Sequence, residues 1–249
     1  MTDIDNLAVV TGGGSGMGRA IAVGLAATGR PIAVLDRDTD GAERTAANIR
    51  EAGGTAEAFT VDISDDDAVL AVRTAVEEQF GPAQTLVNCA GWEEIMPFME
   101  TSADFRRKNI SINLLGAMAI SSAFLEGMIA AGRGGRVVNI SSDAGRVGSS
   151  GEVVYSGAKG GLIGFTKALA REMVRYQITV NCVCPGPTET PMLASAPKKL
   201  TDSLANVIPM RRLATPEDIM NAVRFFVADD SSYITGQTLS VSGGLTMAG

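Results

Sequence analysis

The 249-residue chain contains no histidine. Histidine is the side chain whose ordinary pKa lies nearest to neutrality, so an acid or base that works near pH 7 must be another group whose surroundings shift its pKa. The absence also removes the commonest metal ligand, and the chain has no Cys-x-x-Cys pair to replace it. We therefore expect no zinc site and no other bound metal.

Cysteine and aromatic residues are also scarce. The three cysteines, Cys89, Cys182 and Cys184, lie in apolar stretches, which is typical of buried reduced thiols in a cytoplasmic protein. Aromatic residues make up only 5% of the chain, whereas hydrophobic residues make up 45%. The core must therefore be filled mainly by Ala, Val, Ile and Leu, which suits buried parallel strands covered by helices.

Positive charge is in deficit, because the formal net charge is -7. A protein that binds nucleic acid or anionic membranes nonspecifically carries a basic surplus, so we expect neither partner. The stretch "MTDIDNLAVV" is acidic and lacks the basic region of a secretory signal. No apolar run is expected to reach membrane-spanning length. These observations predict a cytoplasmic protein that acts on a small molecule.

Short apolar segments alternate with helical segments along the chain. The predicted strands cover residues 7–13, 31–36, 56–63, 84–91, 135–142, 178–186 and 237–244. The predicted helices cover residues 16–29, 40–54, 64–81, 102–131, 153–176 and 216–230. This order predicts an α/β fold, Rossmann-like and doubly wound, with a seven-stranded, mostly parallel sheet and helices on both faces. We expect 1–249 to form a single domain, with the irregular segment 187–215 as a substrate-side loop or lid.

A glycine-rich turn follows the first predicted strand. The stretch "TGGGSGMG" does not match G-x-G-x-x-G, but it fits the spacing G-x-x-x-G-x-G with Gly12, Gly16 and Gly18. Glycine permits positive φ and close approach of the backbone, and the N-terminus of the next helix then faces a pyrophosphate. The turn therefore predicts a dinucleotide site.

Polar residues end the next strands. Asp36 ends the second predicted strand, where a carboxylate accepts hydrogen bonds from an adenosine ribose and repels a 2′-phosphate. This favours NAD over NADP, although the adjacent Arg37 could pair with a 2′-phosphate. Asp62 ends the third strand and the segment 88–91 ends the fourth, at the edge of the sheet where the adenosine should lie.

Tyr155 and Lys159 lie four residues apart on a predicted helix and so share one face. A nearby ammonium favours the phenolate and lowers the pKa of a tyrosine from its ordinary value of about 10. Such pairs also arise by chance on helices. Two neighbours strengthen the case: Ser142 ends the preceding strand and could bind a substrate oxygen, and Asn113 could hold a water beside Lys159.

The ordered motifs resemble those of the short-chain dehydrogenase/reductase family. "TGGGSGMG", "NCAG", "NISS", "YSGAK" and "CPGPTET" occur in the family's order and spacing, over essentially the whole chain. The resemblance implies a catalytic set of Asn113, Ser142, Tyr155 and Lys159. Tyr155 would exchange the proton and Ser142 would polarise the carbonyl or alcohol oxygen. Lys159 would lower the pKa of Tyr155 and hold the nicotinamide ribose, and Asn113 would support a proton relay.

The resemblance also implies the residues that hold the cofactor. The expected set is Gly12, Ser15, Gly16, Met17, Gly18, Asp36, Arg37, Asp62, Ile63, Asn88, Ala90, Gly91, Tyr155, Lys159, Pro185, Gly186, Thr188 and Thr190. The family usually has Asn-Asn-Ala-Gly where this chain has Cys89 in second place. We expect altered local packing there and no loss of activity. A homotetramer built from the long central helices and the C-terminal segment is implied as well.

Within the family, the stretches "NCAGWEEIMPF", "SSDAGRVGSSGEVVYSGAKGGL" and "ITGQTLSVSGGLTMAG" are similar to those of dehydrogenases of cyclic hydroxyacyl-CoA thioesters. A related alicyclic alcohol would fit too. The expected substrate contacts are Trp92, Ser142, Arg146 and Met192. Trp92 would form an apolar wall, with a core or subunit contact as the equal alternative. The candidate cations for CoA phosphates are Arg146, Lys198, Lys199, Arg211 and Arg212.

Three functions remain open from the sequence. The leading one is an NAD-dependent oxidoreductase that interconverts a secondary alcohol and a ketone by hydride transfer. The second is an NADPH-dependent 3-oxoacyl thioester reductase. The third is a noncatalytic dinucleotide sensor, which the fold alone does not exclude. The complete set of Ser142, Tyr155 and Lys159 favours an enzyme, because a pure binder has no need of it.

Overall fold

The seven apolar segments form one parallel sheet. In the computed structural model, which describes residues 6–194 and 204–248, the strands are β1 Ala8–Thr11, β2 Ile32–Asp36, β3 Ala56–Thr60, β4 Thr85–Asn88, β5 Gly135–Ile140, β6 Ile178–Pro185 and β7 Thr238–Val241. Their order is β3-β2-β1-β4-β5-β6-β7, and every pairing between neighbours is parallel. The predicted doubly wound sheet is therefore confirmed.

Helices connect the strands. The main ones are α1 Gly16–Ala26, α2 Thr39–Glu51, α3 Asp66–Phe80, α4 Ala103–Ile110, α5 Gly116–Ala131, α6 Ala144–Val147, α7 Val153–Met173 and α8 Pro216–Val227. The one-turn helix α6 was not predicted, because four residues show no apolar period. All the predicted helices are present, although most of them end a few residues earlier than predicted.

Two hydrophobic layers cover the two faces of the sheet. Along β1, Val9 belongs to the layer under α3 and α5, and Val10 belongs to the layer under α1, α2 and α8. Successive strand residues point to opposite faces, so a strand that is buried on both sides consists of apolar residues throughout. This explains why the strands read as unbroken apolar runs rather than as alternating patterns.

The long helical region predicted over 102–131 is interrupted by a π-helical turn, Ser111–Leu115. The whole helix, Ala103–Ala131, has a mean hydropathy of 1.7 over its most apolar 18 residues and is long enough to cross a membrane. The expectation that no segment reaches spanning length is therefore wrong. Half of those residues are buried within the protein, and Ile120 and Phe124 lie in the core, so packing accounts for much of this apolar character.

The order of the strands reverses between β1 and β4. The connections that follow these two strands therefore leave on opposite faces of the sheet, and a crevice opens at the carboxyl ends of β1 and β4. The ends of the segment 187–215 meet near this edge. Ala214 N donates to the Pro187 carbonyl at 3.0 Å and Glu189 N donates to the Ala214 carbonyl at 2.9 Å. This segment is described over 187–194 and 204–215, so its role as a lid stays a prediction.

Candidate active site

A cleft of about 320 Å³ lies at the carboxyl edge of the sheet. It brings together fourteen of the predicted cofactor residues: Gly12, Ser15, Gly16, Met17, Gly18, Asp36, Arg37, Asp62, Ile63, Ala90, Gly91, Tyr155, Lys159 and Thr190. These residues come from six separate parts of the chain. One continuous site therefore contains both the glycine turn and the Tyr–Lys pair.

Four predicted cofactor residues do not line this cleft: Asn88, Pro185, Gly186 and Thr188. The Asn88 side chain is buried in the sheet, where its Nδ2 donates to Ser121 Oγ at 2.9 Å and to Asn139 Oδ1 at 2.8 Å. Asn139 Nδ2 in turn donates to Thr166 Oγ1 of α7 at 2.9 Å. Asn88 thus helps to fix the helix that carries Tyr155, and its side chain is not a wall of the cleft.

The glycine turn requires glycine at two positions. Gly12 has φ +67°, and a Cβ there would stand 2.8 Å from Ala90 Cα. A Cβ on Gly18 would stand 2.0 Å from the Gly12 carbonyl oxygen. Helix α1 can therefore begin tightly against the turn, and its first N–H groups, which have no partner within the helix, face the cleft. Ser15 makes no side-chain cap there. These residues fit the pyrophosphate of a nicotinamide dinucleotide.

Asp36 is held in place at the end of β2. Its Oδ2 accepts a hydrogen bond from Gly14 N at 2.8 Å, and its Oδ1 accepts one from Asp38 N at 2.9 Å. A carboxylate fixed between two backbone N–H groups keeps its position without a bound ligand. It therefore lines the cleft in the position where an adenosine ribose would lie.

Asp62 ends the neighbouring strand region and is oriented by Ser64. Its Oδ1 accepts hydrogen bonds from Ser64 Oγ at 2.6 Å and from Ser64 N at 2.9 Å. Both hydrogen bonds favour the ionised form and lower the pKa of Asp62. The cleft therefore has a second fixed acceptor on its adenosine side.

Lys159 is buried beneath Tyr155. Its Nζ donates to the Ile140 carbonyl at 2.9 Å and lies 5.6 Å from the centre of the Tyr155 ring. Burial lowers the pKa of Lys159. Burial also raises the pKa of Tyr155, as does the nearby Glu93 carboxylate, while the Ser142 hydroxyl acts in the opposite direction. Burial therefore dominates the pKa of Tyr155, and the expectation that Lys159 lowers this pKa stays a prediction.

Ser142 and Ser141 follow β5 and face different partners. The Ser141 hydroxyl donates to the Lys159 carbonyl at 2.8 Å, whereas Ser142 Oγ accepts from Ala144 N at 3.1 Å. Helix α6 then packs so closely on α7 that a Cβ on Gly145 would stand 2.7 Å from the Lys159 carbonyl carbon. This contact holds the end of β5 against the helix of Tyr155.

Asn113 lies in the π-helical turn and is buried, which the sequence did not predict. Its Oδ1 accepts from Trp92 N at 3.1 Å, and its Nδ2 donates to the Trp92 carbonyl at 2.7 Å. A Cβ built on Gly91 would stand 3.1 Å from Asn113 Oδ1 and 3.5 Å from Lys159 Nζ. Asn113 therefore lies beside Lys159, but its amide already holds the backbone after the fourth strand.

Trp92 lines the cleft, as predicted for a substrate wall. Its ring packs edge-on against Phe105, with ring centres 5.3 Å apart, and the Lys108 ammonium lies 3.9 Å from the centre of the indole. The aromatic pair and the cation fix the orientation of the ring. The cation beside Trp92 was missed, because a lysine on an exposed helix face looks like an ordinary solvated residue.

The candidate cations for CoA phosphates are engaged elsewhere. Arg146 donates to Ser240 Oγ at 2.6 Å and to the Ala248 carbonyl. Arg212 pairs with Asp218 at 2.6 Å, and Arg211 donates to the Asn206 carbonyl. Each of the three arginines therefore has a partner within the chain, and their contact with CoA phosphates stays a prediction. Lys198 and Lys199 lie outside the described residues, as does the side chain of Met192.

Comparisons with known proteins agree with this geometry. A family model described as enoyl-(acyl carrier protein) reductase matches residues 12–246. The chain is 37% identical over 249 residues to human (3R)-3-hydroxyacyl-CoA dehydrogenase, which covers 97% of this chain and 95% of that protein. It is 38% identical over 245 residues to acetoacetyl-CoA reductase of Allochromatium vinosum, and this alignment covers 97% of this chain and 98% of that protein.

A solved structure is also similar over nearly its full length. It is the crystal structure of an actinorhodin polyketide ketoreductase with NADPH, with a TM-score of 0.94, 34% sequence identity and 98% of each chain covered. The family match, the relatives and this structure agree on one class of protein. The chain belongs to the short-chain dehydrogenase/reductase family, whose members are oxidoreductases that act on CH–OH groups.

Proposed function

We propose that the protein is an NAD-dependent oxidoreductase that interconverts a secondary alcohol and a ketone by hydride transfer, on a cyclic hydroxyacyl-CoA such as 2-hydroxycyclohexanecarboxyl-CoA or on a related alicyclic alcohol. The observation that carries the cofactor choice is the fixed Asp36 carboxylate at the adenosine end of the cleft. A carboxylate there favours a ribose with a free 2′-hydroxyl and repels a 2′-phosphate.

In this proposal, the chain's own residues position the substrate and move its proton. A nicotinamide dinucleotide held by the residues of the cleft would supply the hydride acceptor and, in its oxidised form, a positive charge near the phenol. Ser142 hydrogen-bonds the substrate oxygen, and Tyr155 takes its hydroxyl proton when Tyr155 is the phenolate, the form that a nearby positive charge favours. Lys159 keeps a buried cation beneath the ring and, with Tyr155, holds the nicotinamide ribose.

The substrate class is supported by the relatives and by the wall beyond the Tyr–Lys pair. The human relative is named for a 3-hydroxyacyl-CoA and the Allochromatium vinosum relative for acetoacetyl-CoA. Trp92 and Phe105 offer apolar surface of the kind that a ring or acyl chain needs. The cyclic substrate is the narrower part of the proposal, and it rests on the similar stretches 88–98, 141–162 and 234–249.

An NADPH-dependent 3-oxoacyl thioester reductase is the competing function. Arg37 lines the cleft next to Asp36 and could pair with a 2′-phosphate. The raised pKa of Tyr155 also suits a phenol that donates a proton to a ketone. A noncatalytic sensor is disfavoured, because the named relatives are oxidoreductases.

The proposal includes a cytoplasmic homotetramer in which 187–215 closes over the substrate. Exposed apolar side chains near the C-terminus support burial between subunits. Phe225 is 50% exposed and Met247 is 88% exposed within one chain. Burial of such side chains between subunits would remove their apolar surface from water.

A turnover panel tests the proposed function. Cyclic hydroxyacyl-CoAs, linear 3-hydroxyacyl-CoAs and free cyclic alcohols are assayed for kcat/KM with NAD and with NADP, and linear 3-oxoacyl thioesters are assayed with NADH and with NADPH. We expect the highest value for a cyclic hydroxyacyl-CoA with NAD. A higher value for linear 3-oxoacyl thioester reduction with NADPH would establish the competing function instead.

A further inference from the structure

One arginine of α1 is bound to the glycine turn although it does not line the cleft. Arg19 Nη2 donates to the Gly14 carbonyl, and Arg19 Nε donates to Thr45 Oγ1 of α2 at 3.2 Å. Arg19 is half-buried and is not a wall of the dinucleotide site. Its guanidinium therefore contacts residues that build the site and does not border the cleft itself.

Both acceptors of the Arg19 guanidinium are neutral. In the part of the chain that the structure describes, no carboxylate forms an ion pair with Arg19. Thr45 is fully buried, and its hydroxyl also donates to the Gly41 carbonyl at 3.1 Å, one turn earlier in α2. The donors of an arginine form a rigid planar fork that can hold two acceptors at once. Arg19 therefore ties the glycine turn to α2 by geometry and not by charge pairing.

Gly14 approaches Asp36 more closely than a residue with a side chain could. Its N donates to Asp36 Oδ2 at 2.8 Å, and a Cβ on Gly14 would stand 2.9 Å from the same oxygen and 3.0 Å from Ala42 N. The close approach requires glycine, which has more backbone freedom than any other residue. Because Arg19 holds the Gly14 carbonyl, it restricts that freedom next to the N–H that Asp36 uses.

These contacts form one line from the interior to the cleft. Thr45 accepts from Arg19, and Arg19 donates to Gly14. Gly14 in turn donates to Asp36, which lines the cleft. The other oxygen of Asp36, Oδ1, accepts from Asp38 N, so Gly14 N is the backbone donor that fixes Oδ2. A fixed carboxylate discriminates between a 2′-hydroxyl and a 2′-phosphate better than one that can turn away.

We propose that Arg19 is a positioning residue for Asp36, which fixes Gly14 and thereby strengthens the selection of NAD over NADP. The charge of the guanidinium acts in the opposite direction, since a cation near the adenosine end attracts a 2′-phosphate. Loss of Arg19 through its positioning role weakens the discrimination against NADP, whereas loss of its charge alone strengthens it. The sign of the change therefore identifies the route.

This inference rests on the cofactor part of the proposed function, because it assumes that Asp36 selects NAD. It goes further by assigning part of that selection to a residue outside the cleft. It does not depend on the substrate, since cofactor binding is measured without one.

The test is a calorimetric titration with NAD and with NADP of the wild type, Arg19→Met, Asp36→Asn and the double variant. Methionine keeps an unbranched apolar side chain but has no donor. We expect the ratio of Kd for NADP over NAD to fall about fivefold in Arg19→Met, which corresponds to ~1 kcal/mol. Adding Arg19→Met to Asp36→Asn should cause no further fall, because the carboxylate that Arg19 positions is already absent.

Arg30→Met is the matched control. Arg30 is also half-buried and donates to a backbone carbonyl, that of Val227, at 3.1 Å. It precedes β2 at the end of the strand opposite to Asp36. The variant removes the same charge, and its ratio of Kd values should stay at the wild-type value.

A second variant covers the case in which Arg19→Met does not fold. Thr45→Val removes the hydroxyl that accepts from Arg19 Nε, keeps a side chain of similar shape and leaves the net charge unchanged. We expect a smaller fall in the same ratio, again absent in the Asp36→Asn background. An unchanged or raised ratio in Arg19→Met, or in Thr45→Val if Arg19→Met does not fold, would overturn the inference. A fall of equal size with and without Asp36 would overturn it too.

The outcomes separate this inference from the proposed function. A fall in Asp36→Asn without a fall in Arg19→Met would support NAD selection by Asp36 and refute the role of Arg19. The expected set of Kd ratios, together with a turnover panel that favours another substrate, would refute the proposed substrate and support the role of Arg19. A ratio that Asp36→Asn leaves unchanged would overturn both the cofactor choice and the role of Arg19.

Discussion

Asn113 holds Trp92 through both atoms of its amide. Trp92 N donates to Asn113 Oδ1 at 3.1 Å, and Asn113 Nδ2 donates to the Trp92 carbonyl at 2.7 Å. The π-helical turn places this amide in the interior, against the segment that forms one wall of the cleft. The residue therefore links the long central helix to the substrate side of the site.

Replacing Asn113 with alanine should weaken both the fold and the reaction. Buried backbone groups that lose their only partner cost about 1–3 kcal/mol each, so we expect a clear fall in the unfolding free energy and a reduced kcat. Chemical denaturation and steady-state kinetics measure the two effects. Asn48→Ala, at an exposed position of α2, should change neither, and equal effects of the two variants would contradict the role of Asn113.

Tyr155→Phe should abolish most activity while NAD binding survives. The variant keeps the ring over Lys159 but removes the hydroxyl that exchanges the proton, a group that typically contributes about 100-fold or more to the rate. Tyr233 is fully exposed and does not line the cleft. Tyr233→Phe is therefore the control, because it removes a hydroxyl from solvent and not from the site. Kinetics and a calorimetric NAD titration measure the two properties, and wild-type turnover by Tyr155→Phe would refute the assignment.

The fold was predictable because its determinants are local. Unbroken apolar runs indicated strands that are buried on both faces, and the turn at Gly12 needs a residue that tolerates φ +67°. The spacing of Tyr155 and Lys159 likewise follows from helix geometry. The sequence therefore indicated which strand ends and which helix meet at the cleft.

Side-chain orientation was less predictable, because it depends on contacts between distant segments. Asn88 ends a strand at the cleft, yet its side chain bonds to Ser121 and Asn139 inside the protein. Arg146 lies next to the catalytic segment, but the C-terminal residues Ser240 and Ala248 engage it. Glu93 follows Trp92 in an acidic chain and belongs to no predicted motif, although the fold partly buries it.

Asp36→Asn should shift the cofactor preference towards NADP. Asparagine retains an oxygen that can accept from the backbone but removes the negative charge that repels a 2′-phosphate. We expect the ratio of kcat/KM for NAD over NADP to fall about tenfold, equivalent to ~1.4 kcal/mol. Asp40→Asn, on the exposed first turn of α2, is the control, and an unchanged ratio in Asp36→Asn would argue against NAD selection by this residue.

Gly157→Leu should disrupt the proposed tetramer without unfolding the subunit. A Cβ at this exposed position of α7 meets nothing within 4 Å in its own chain, and leucine favours a helix more than glycine does. A bulky side chain would then clash only with a neighbouring subunit. Light scattering measures the mass, and Ala71→Leu on the exposed side of α3 is the control. A full-size tetramer in Gly157→Leu would exclude close packing at this point.

The unfolding free energy of the protein should depend on pH through Asp218, which lies just after the substrate-side segment 187–215. Its Oδ2 accepts from Thr215 N at 2.8 Å and its N donates to Thr215 Oγ1 at 3.3 Å, so the two residues form a capping box at the start of α8. Hydrogen bonds from Arg212 and then from Thr215 lower the pKa of Asp218 to about 2. Because this pKa is depressed on folding, the stabilisation is present above about pH 4 and is lost as the pH falls towards 2.

Asp218→Asn should therefore destabilise the protein at pH 7 by about 1 kcal/mol, the usual contribution of a helix cap, with little added by the exposed ion pair. The difference from the wild type should shrink as the pH is lowered from 4 to 2, because Asp218 takes up a proton first in the unfolded chain and then, near pH 2, in the folded protein. Thermal unfolding at several pH values measures this difference. Glu217→Gln removes a charge from the same helix turn outside the capping box and should give a much smaller difference at pH 7. A difference for Asp218→Asn that stays constant with pH would show that the charge of Asp218 does not stabilise this end of the segment.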